Sequence, residues 1–429
     1  EVGAPPVLTD EGWLLIYAHI RNYYSANKIF GVEAVLLDLN DPLKIIARTN
    51  SPMMVPQQEY EKKGNVADVI FPSGALTKGK DLYIYYGAGD SSCCLATCKI
   101  SDLLEELVAS SNFMRFERFE GNPIIEPNPD NLWEAKATFN PAAFIENSKV
   151  HIIYRAMSFD NVSVFGLATS SDGLHIDERL NQPIYTPRED FEIGVHKGGN
   201  SGCEDPRITR IGDKFYICYT AFDGRSPPRV ALTHISAPDF FQRNWQFAKP
   251  VLISPPGIDD KDACILPEKI NGKYLIFHRI DSRIWIDYVD NLNFSGNQWI
   301  LGNAYFDPRA DSWDDGKIGI CGVPIKTDEG WLMFYHGVSK RDNIYRLGAM
   351  LLELGDPRMV IVRTDYPILE PEMDYEKVGN MPNVVFPCGS VVIDRRLFIY
   401  YGGADRVTAV AWVNLDEFVE SLLVSKKGS

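Results

Sequence analysis

The sequence predicts an all-β protein whose short antiparallel sheets repeat around a ring, as in a β-propeller. Three observations support this prediction. Runs rich in β-branched and aromatic residues recur at intervals of about 50 residues, the size of one propeller blade. Turn sequences such as Ile211-Gly212-Asp213 and Asn271-Gly272-Lys273 precede these runs. Helical periodicity is scarce, and the spacing favours a propeller over a sandwich.

Each predicted strand is a short run of aliphatic and aromatic residues. In chain order, the predicted strands are residues 13–17, 82–86, 150–154, 214–219, 274–277, 331–335 and 397–401. Helical periodicity is clearest at residues 415–424 and is echoed at residues 101–108.

A longer repeat lies over these units. Thr9-Asp10-Glu11-Gly12-Trp13-Leu14 recurs as Thr327-Asp328-Glu329-Gly330-Trp331-Leu332, an offset of 318 (327 − 9). Tyr85-Tyr86-Gly87 recurs as Tyr400-Tyr401-Gly402, an offset of 315 (400 − 85). The sequence therefore predicts two domains. Residues 112–429 form a complete propeller of five blades, and residues 1–111 resemble the last two blades of a truncated earlier copy.

Two blades alone leave open sheet edges and a half-covered core. The N-terminal part must therefore pack on the complete propeller or be completed by sequence outside this chain. In that part Tyr17-Ala18-His19 replaces Tyr335-His336-Gly337, which moves the histidine to the opposite face of its strand.

Composition limits the class of protein. The 429 residues are 45% hydrophobic and 24% charged, which is enough for one or two full cores. No apolar stretch approaches the ~20 residues that a membrane-spanning helix needs. The formal net charge of -15 argues against nucleic acid as a partner. Any anion that binds must therefore be small and held in a local cage of donors.

Eight cysteines lie mostly within apolar runs, which predicts buried free thiols in a reducing compartment, and hence a cytoplasmic protein. Cys93, Cys94 and Cys98 make a poor zinc pattern because no second pair or histidine is near, so no metal site is expected. The cysteines are Cys93, Cys94, Cys98, Cys203, Cys218, Cys264, Cys321 and Cys388.

The run Gly202-Cys203-Glu204-Asp205-Pro206-Arg207-Ile208 is the strongest chemical signal. A carboxylate beside Arg207 should have a lowered pKa, and one that faces an apolar cleft should have a raised pKa. One of the two acids could then donate a proton near neutral pH. The alternative is a turn whose carboxylates hold the next strand through salt bridges.

Polar side chains also stand at or just beyond the ends of successive strands, where propeller blades meet a central funnel. Each of them alone is ordinary, but their recurrence predicts one shared site. They are Asn140, Arg155, Asp205, Asp262, Arg279, Lys317, His336 and Asp405.

With these motifs the sequence resembles glycoside hydrolase family 130, the β-mannoside phosphorylases and related mannosidases. The resemblance covers residues 112–429, and residues 1–111 resemble the final third of the same domain. Its motifs include Phe139-Asn140-Pro141, Tyr154-Arg155-Ala156, Glu204-Asp205-Pro206-Arg207, Pro228-Arg229-Val230, Lys317-Ile318-Gly319 and Tyr335-His336-Gly337.

The resemblance implies an enzyme that performs inverting phosphorolysis of β-mannosidic bonds in manno-oligosaccharides and yields α-mannose 1-phosphate. Asp205 would be the only catalytic acid. Inorganic phosphate, the co-substrate, would replace the base of an inverting glycosidase, and no other cofactor is expected. The partners would be a β-linked mannoside and phosphate, and assembly into a homo-oligomer is compatible with the family.

The family motifs also imply binding roles. Arg155, Arg279, Lys317 and His336 would bind phosphate as a cluster of four cations, with Arg225 or Arg229 as substitutes for Arg279. The mannoside would be held by Asn140, Asp262, Tyr345 and Asp405.

Two other functions stay open at this point. A β-mannosidase on the same fold would cleave β-1,2- or β-1,4-mannosides with glutamates that activate water, and Glu268 is the residue to inspect. A non-catalytic carbohydrate-binding propeller would use its aromatic residues as stacking platforms. The motifs do not predict the linkage or the acceptor sugar.

Overall fold

The computed structural model describes residues 1–21, 29–49, 52–111, 114–295, 298–310 and 312–427. The chain divides into two compact units, Glu1–Met114 (unit 1) and Arg115–Ser429 (unit 2). Strands dominate both units, which confirms the prediction of an all-β protein. The predicted domain boundary at residues 111 and 112 adjoins residues outside the described part, so that assignment stays a prediction. Among the described residues, no helix combines the length and apolar composition that crossing a membrane requires.

Unit 1 is built from two antiparallel sheets, β1-β2-β3-β4 and β5-β6-β7, in its described residues. Its strands are β1 (Val7–Leu8), β2 (Trp13–Arg21), β3 (Ile29–Leu37), β4 (Ile45–Arg48), β5 (Ile70–Lys78), β6 (Asp81–Ala88) and β7 (Ser92–Lys99). Its helices are α1 (Glu59–Lys62) and α2 (Ile100–Ser111).

Unit 2 begins with β8 (Glu117–Arg118) and a 3-10 helix (Leu132–Glu134). Its next strands are β9 (Ala137–Glu146), β10 (Lys149–Met157), β11 (Val162–Ser170), β12 (Glu178–Arg179), β13 (Ser201–Ile211), β14 (Lys214–Phe222), β15 (Arg229–Ser236) and β16 (Val251–Leu252). They are followed by β17 (Asp260–Ile265), β18 (Tyr274–Ile280), β19 (Arg283–Val289), β20 (Ala304–Phe306), β21 (Lys317–Ile320), β22 (Ile325–Lys326), β23 (Trp331–Val338), β24 (Tyr345–Leu352) and β25 (Val360–Arg363). The last strands are β26 (Val385–Ile393), β27 (Arg396–Gly403) and β28 (Val407–Asn414), and the helices are α3 (Ala237–Phe241), α4 (Asp374–Lys377) and α5 (Leu415–Lys427).

The sheets of unit 2 are consecutive antiparallel meanders. Strands β9–β12 and β13–β16 share one sheet, because β11 and β13 pair in parallel at Val162↔Ser201 and Ser163↔Gly202. Strands β17–β20, β21–β25 and β26–β28 form the following sheets. The first strand, β8, joins the last of these by pairing Arg118 with Ala411 on β28. The two ends of unit 2 therefore lie in one sheet.

The apolar core of unit 2 lies between neighbouring sheets. Ile152 and Tyr154 of β10 pack in one cluster with Val391 of β26 and Tyr400 of β27. Alternate side chains of a strand point to opposite faces, so a strand between two sheets carries apolar residues on both sides. This burial explains why the aromatic and β-branched runs form strands. All seven predicted strands lie within observed ones, namely β2, β6, β10, β14, β18, β23 and β27, and the two predicted helices lie within α2 and α5.

The sequence repeat is accompanied by matching local structure. Helix α4 begins 315 residues after α1 (374 − 59), and β26 begins 315 residues after β5 (385 − 70). In both copies a tyrosine hydroxyl donates to a buried glutamate of the short helix: Tyr86 to Glu61 at 2.8 Å, and Tyr401 to Glu376 at 2.7 Å.

The histidine of unit 1 faces away from its core. Ala18 of β2 is fully buried, whereas His19 is exposed and its Nδ1 lies 2.7 Å from Glu33. The predicted change of face relative to His336 is therefore confirmed.

Candidate active site

Bulges at the first strands of three meanders position three polar side chains. The pairing register shifts opposite Asn140 on β9, and also at Asp205 on β13 and Asp262 on β17. All three residues have positive φ angles, of 47°, 50° and 54°. Asn and Asp tolerate this left-handed conformation better than most residues, and a bulge redirects the side chain it carries. The three side chains thereby leave the regular sheet alternation and meet in one network.

Asp205 is held by two donors. Its Oδ1 accepts hydrogen bonds from Asn140 Nδ2 at 2.9 Å and from an Arg155 Nη1 at 3.1 Å, and the residue is only 9% exposed. Asn140 itself needs a glycine at position 402, because a Cβ there would lie 2.1 Å from its Oδ1. The orientation of Asp205 is therefore set by side chains on β9 and β10 and by the close approach of β27 to Asn140.

Arg155 links the acid to other groups. Its Nε donates to Ser163 Oγ at 2.9 Å, and its Nη2 donates to Glu204 Oε1 at 2.7 Å. Its guanidinium also lies 4.7 Å from the centre of the Phe139 ring. A guanidinium has five N–H groups, so two remain beyond these contacts and the bond to Asp205.

The arginine beside the acidic pair is Arg155 and not Arg207, contrary to the sequence interpretation. Arg207 is fully buried, and its Nη1 donates to the Asp205 carbonyl at 2.8 Å. Its other donors reach the Cys321 and Ile320 carbonyls and Asp262 Oδ1. The bulge turns the Asp205 side chain toward Arg155, so Arg207 contacts the backbone of Asp205 and links it to Asp262 and to the backbone of Cys321.

The pKa of Glu204 is raised above its ordinary value. Burial favours its neutral form, Arg155 opposes this effect, and the nearby Asp205 charge adds to it. Asp405 belongs to the same group: burial, with the charges of Asp205 and Glu204, raises its pKa to about 7 despite the attraction of Arg155. These acids therefore compete for one guanidinium, and Asp405 is about half protonated near pH 7.

Asp262 anchors a second group of side chains. Its Oδ2 accepts from Arg279 Nε at 2.6 Å, and its Oδ1 accepts from Arg207 Nη2 at 3.2 Å. Although burial favours the neutral acid, the two guanidinium groups hold the pKa of Asp262 well below its usual range. It is thus a permanent anion that balances buried cations.

Lys317 lies in this second group. Its Nζ donates to the Tyr345 hydroxyl at 2.5 Å and lies 4.6 Å from the centre of the same ring. Burial, together with the positive charge of Arg279, lowers the pKa of Lys317 to about 8. The ammonium is therefore poorly compensated, and an added anion would stabilise it.

His336 completes the group without carrying a charge. Its Nε2 lies 3.8 Å from Asp262 Oδ2, and burial, with the cations Arg279 and Lys317, lowers its pKa well below the ordinary value. The sequence interpretation counted it among the cations, but near pH 7 it is a neutral imidazole. Gly319 makes room for it, because a Cβ there would lie 2.3 Å from His336 Cε1 and 2.8 Å from Arg279 Cδ.

The structure brings the nine predicted site residues into one connected network. Arg207 bridges the Asp205 group and the Asp262 group, and the charge of Asp405 acts on Tyr345. Three other residues considered from the sequence lie elsewhere. Arg225 is exposed, Arg229 donates to the Ser254 carbonyl, and the exposed Glu268 pairs with Lys326 at 2.6 Å.

Sequence reasoning missed the supporting contacts of Arg155. Ser163 carries no motif signal, because its role depends on the pairing of β10 with β11. Glu204 was visible in the acidic pair, but its partner lies on a distant strand.

The predicted buried thiols are found at five cysteines, whereas Cys93 and Cys98 are exposed and Cys94 is half-buried; all eight are free. Within the described residues, no cluster of three His, Cys, Asp or Glu side chains is arranged to hold a metal ion.

Comparison with known proteins identifies relatives of both units. A family model described as β-1,4-mannooligosaccharide phosphorylase matches residues 1–108 and again residues 113–423. A 1,2-β-oligomannan phosphorylase of Thermoanaerobacter sp. (strain X514) is 37% identical over 311 residues, which are 71% of this chain and 99% of the relative. A β-1,2-mannobiose phosphorylase of the same strain is 39% identical over 316 residues, 71% of this chain and 98% of the relative.

Comparison with solved structures identifies relatives of the same kind. The β-1,2-mannobiose phosphorylase of Listeria innocua, in complex with β-1,2-mannobiose, has a TM-score of 0.60 at 29% identity and covers 72% of this chain and 100% of its own. A second structure, with a TM-score of 0.60 at 26% identity, covers 71% of this chain and 95% of its own. It is described as showing that this family of mannoside phosphorylases contains hydrolases that target β-1,2 mannosidic linkages in Candida mannan. From the family match over most of its length and from these relatives, the chain belongs to glycoside hydrolase family 130.

Proposed function

We propose that this protein cleaves β-mannosidic bonds of manno-oligosaccharides by inverting phosphorolysis and releases α-mannose 1-phosphate. One observation carries the proposal. A single oriented acid, Asp205, lies in the same network as a separate group of donors, Arg279, Lys317 and His336. The names of the relatives, several of which are β-mannoside phosphorylases, support the same reaction.

Asp205 protonates the departing glycosidic oxygen, directly or through a sugar hydroxyl as the family resemblance implies. Inorganic phosphate attacks the anomeric carbon from the opposite face, so the configuration inverts. The nucleophile is already an anion, and no carboxylate is needed to activate it. The bond to the leaving sugar breaks as the bond to phosphate forms, and the proton stays with the leaving sugar.

The phosphate is bound by Arg279, Lys317, His336 and the two remaining N–H groups of Arg155. Lys317 supplies a point charge, and the arginines supply forked donors. Neither His336 ring nitrogen has a hydrogen-bond partner among the described residues, so one N–H is available to a phosphate oxygen. A local cage of this kind is needed because the protein carries a net charge of -15.

The mannose residue is held by Asn140, Tyr345 and Asp405, with Asp262 acting mainly through the arginines that occupy both its oxygens. With a pKa of about 7, Asp405 can donate a hydrogen bond to a sugar hydroxyl at neutral pH. The preferred linkage in this proposal is β-1,2, because relatives with this name are 36–39% identical and the β-1,4 relative is 29% identical.

The catalytic unit in this proposal is unit 2, a ring of five blades whose closure is supported by the pairing of β8 with β28. Unit 1 is the last two blades of an earlier copy and lacks a counterpart of Asp205. Mostly buried free thiols support a cytoplasmic location.

Hydrolysis is the competing function, because the family includes enzymes described as hydrolases. A water-activating carboxylate would have to face the site, but Glu268 is exposed and paired with Lys326. The poorly compensated ammonium of Lys317 would also have no added anion to bind. Phosphorolysis therefore fits the site better.

The test is the phosphate dependence of β-1,2-mannobiose cleavage. We expect α-mannose 1-phosphate and mannose in equal amounts with phosphate, and almost no cleavage without it. Release of free mannose at full rate in phosphate-free buffer would overturn the proposal.

The role of Asp205 is tested by Asp205→Asn. Loss of the proton donor should lower kcat by about 10³-fold, the usual scale of general acid catalysis. The melting temperature should stay close to that of the wild type, because Asn140 and Arg155 can still contact the amide oxygen. Retention of more than a tenth of the activity would exclude Asp205 as the acid.

A further inference from the structure

A small cavity opens on unit 2 far from the reacting groups. Its volume is about 130 Å³, and it lies between β10, β11 and the segment that follows α3. Lys149 lines it at one end of β10, whereas Arg155 reaches Asp205 near the other end. Six residues of extended strand, about 20 Å, separate Lys149 from Arg155, and four residues, about 13 Å, separate His151, the nearer lining residue of β10, from Arg155. A molecule in this cavity would not touch the groups assigned to catalysis.

The inner wall of the cavity carries polar atoms that lack partners. Thr169 is 9% exposed, and its Oγ1 has no hydrogen bond within the described residues. His151 lies opposite Thr169 across the β10–β11 pair. Burial lowers the pKa of His151, although the Glu146 carbonyl favours the protonated ring, and neither ring nitrogen makes a hydrogen bond of normal geometry within the described residues. Buried polar groups are rarely left unsatisfied, so these atoms indicate a polar occupant.

The remaining walls are aromatic. Phe240, Phe241 and Trp245 line the cavity, and Trp245 is half-buried. Phe240 packs edge-on against the Trp245 ring with centroids 5.5 Å apart. Aromatic walls suit a ligand that has an apolar face as well as polar groups.

Charges of both signs stand at the mouth. Arg243 Nη2 lies 2.6 Å from Glu178 Oε2, and both side chains line the cavity with Lys149. Among the charged side chains that line the cavity, Glu178 balances Arg243, so the one excess positive charge is that of the exposed Lys149. A phosphate or carboxylate is better held by forked arginine donors than by one lysine. The occupant is therefore expected to be neutral and rich in hydroxyl groups.

We propose that this cavity is a second carbohydrate-binding site, which takes one pyranose ring of a mannoside. A cavity of about 150 Å³ is known to hold benzene, so this smaller, open cavity can take one side of a pyranose ring while the other hydroxyl groups stay in solvent. The choice of mannoside rests on the proposed function. If this cavity binds one sugar of a long mannoside, the cleavable end of the same molecule is held near Asp205, and its effective concentration there rises.

The experiment titrates β-1,2-mannobiose into the Asp205→Asn protein by calorimetry without phosphate. Two binding sites per chain are expected. Thr169→Val, which keeps the shape of the side chain and removes the hydroxyl, should weaken one site about tenfold and leave the other unchanged, and Trp245→Ala should do the same. Tyr305→Ala, at another partly exposed aromatic residue of unit 2, is the matched control and should keep both sites.

Kinetics with otherwise wild-type protein separate this inference from the proposed function. Thr169→Val should leave kcat and KM for mannobiose unchanged and raise KM for longer β-1,2-oligomannosides severalfold. One binding site in the Asp205→Asn protein that Thr169→Val does not affect would overturn the second site while leaving phosphorolysis intact. Absence of cleavage and of any mannoside binding would instead remove the proposed function and the inference with it.

Discussion

At the scale of residues, the two halves of the site are organised around opposite charges. Near Asp205, the guanidinium of Arg155 is the shared cation of several acids, and the pKa of Asp405 is raised to about 7. Near Asp262, one carboxylate serves Arg207 and Arg279, and the pKa of Lys317 is lowered to about 8. The Asp205 group contains a carboxyl that is partly protonated at neutral pH, and the Asp262 group contains an ammonium that lacks a full counter-charge. Such a pair of groups suits a reaction that needs a proton donor and a bound phosphate.

The pKa of Lys317 predicts the alkaline limit of phosphate use. Lys317 is charged below about pH 8 and loses its charge as the pH rises through that value. The kcat/KM for phosphate should therefore be nearly constant just below pH 8 and fall up to tenfold per pH unit above it. Steady-state kinetics between pH 7 and pH 10 measures this limit.

Lys317→Arg keeps the positive charge at high pH, so the decrease in kcat/KM for phosphate should begin more than one pH unit higher than in the wild type. Lys326→Arg is the control, since this exposed lysine pairs with Glu268 outside the site and its replacement should leave the profile unchanged. A fall at pH 8 that persists in Lys317→Arg would show that another group is responsible.

At the scale of elements, bulges in the first strands of three meanders, β9, β13 and β17, aim Asn140, Asp205 and Asp262 into the site. Strand β21 contributes in a different way, through the bare backbone of Gly319. His336 and Arg279 pack against this position at distances that exclude a Cβ. The phosphate donors therefore depend on the shape of a strand as well as on their own identity.

Gly319→Ala should raise KM for phosphate at least tenfold, because the new methyl group would displace His336 and the Arg279 stem. Phosphate titration at saturating mannobiose measures the effect. Gly355→Ala is the control, since its Cβ would meet nothing within 4 Å. An unchanged KM in Gly319→Ala would contradict the arrangement of His336 and Arg279 described above.

Strands β17, β18 and β19 share a buried histidine–carboxylate cluster that affects stability. His278 on β18 lies 2.9 Å from both Asp260 and Asp287. Although burial favours the neutral ring, these carboxylates raise the pKa of His278 from 6.5 to about 9. The folded state therefore binds this proton more tightly than the unfolded state does.

The resulting stabilisation, up to about 3 kcal/mol, should be complete below about pH 6.5 and disappear as the pH rises through about 9. Urea unfolding of the wild type should give a lower free energy of unfolding at pH 9.5 than at pH 6. His278→Gln should be less stable than the wild type at pH 6, and its free energy of unfolding should change less with pH. Equal pH dependence in the wild type and the variant would contradict a protonated His278.

At the scale of the whole molecule, unit 2 is completed by a strand from its own beginning. Arg118 of β8 donates from Nε to Glu376 Oε1 at 2.8 Å, and Glu376 is fully buried. The same glutamate accepts from Tyr401 on β27. The closing strand is therefore held by a buried ion pair as well as by its backbone pairing with β28.

Arg118→Met should lower the free energy of unfolding of the full chain by about 3 kcal/mol, because the Glu376 charge would stay buried without its cation. Arg115→Met is the matched control. Its guanidinium lies 3.3 Å from the exposed Glu372, and such surface pairs contribute about 0 to 1 kcal/mol. Urea unfolding followed by tryptophan fluorescence compares the two variants, and similar losses would argue against a special role for β8.

Local patterns in the chain were sufficient for much of this description. Runs of β-branched and aromatic residues located one strand in every sheet unit, because burial between two sheets demands apolar residues on both faces of a strand. Repeats at offsets of 315 and 318 identified related units, and the motifs identified the site residues that the structure brings together.

Contacts between distant strands were decided only by the folded chain. The sequence places Arg207 two positions from Asp205, but a bulge turns the acid toward Arg155, 50 residues earlier. Likewise, His336 looks like a cation in the sequence, and full burial beside Arg279 and Lys317 makes it neutral. Residue types and their order determine which groups are present. Their direction, partners and protonation depend on desolvation and on charges that only folding brings within a few ångströms.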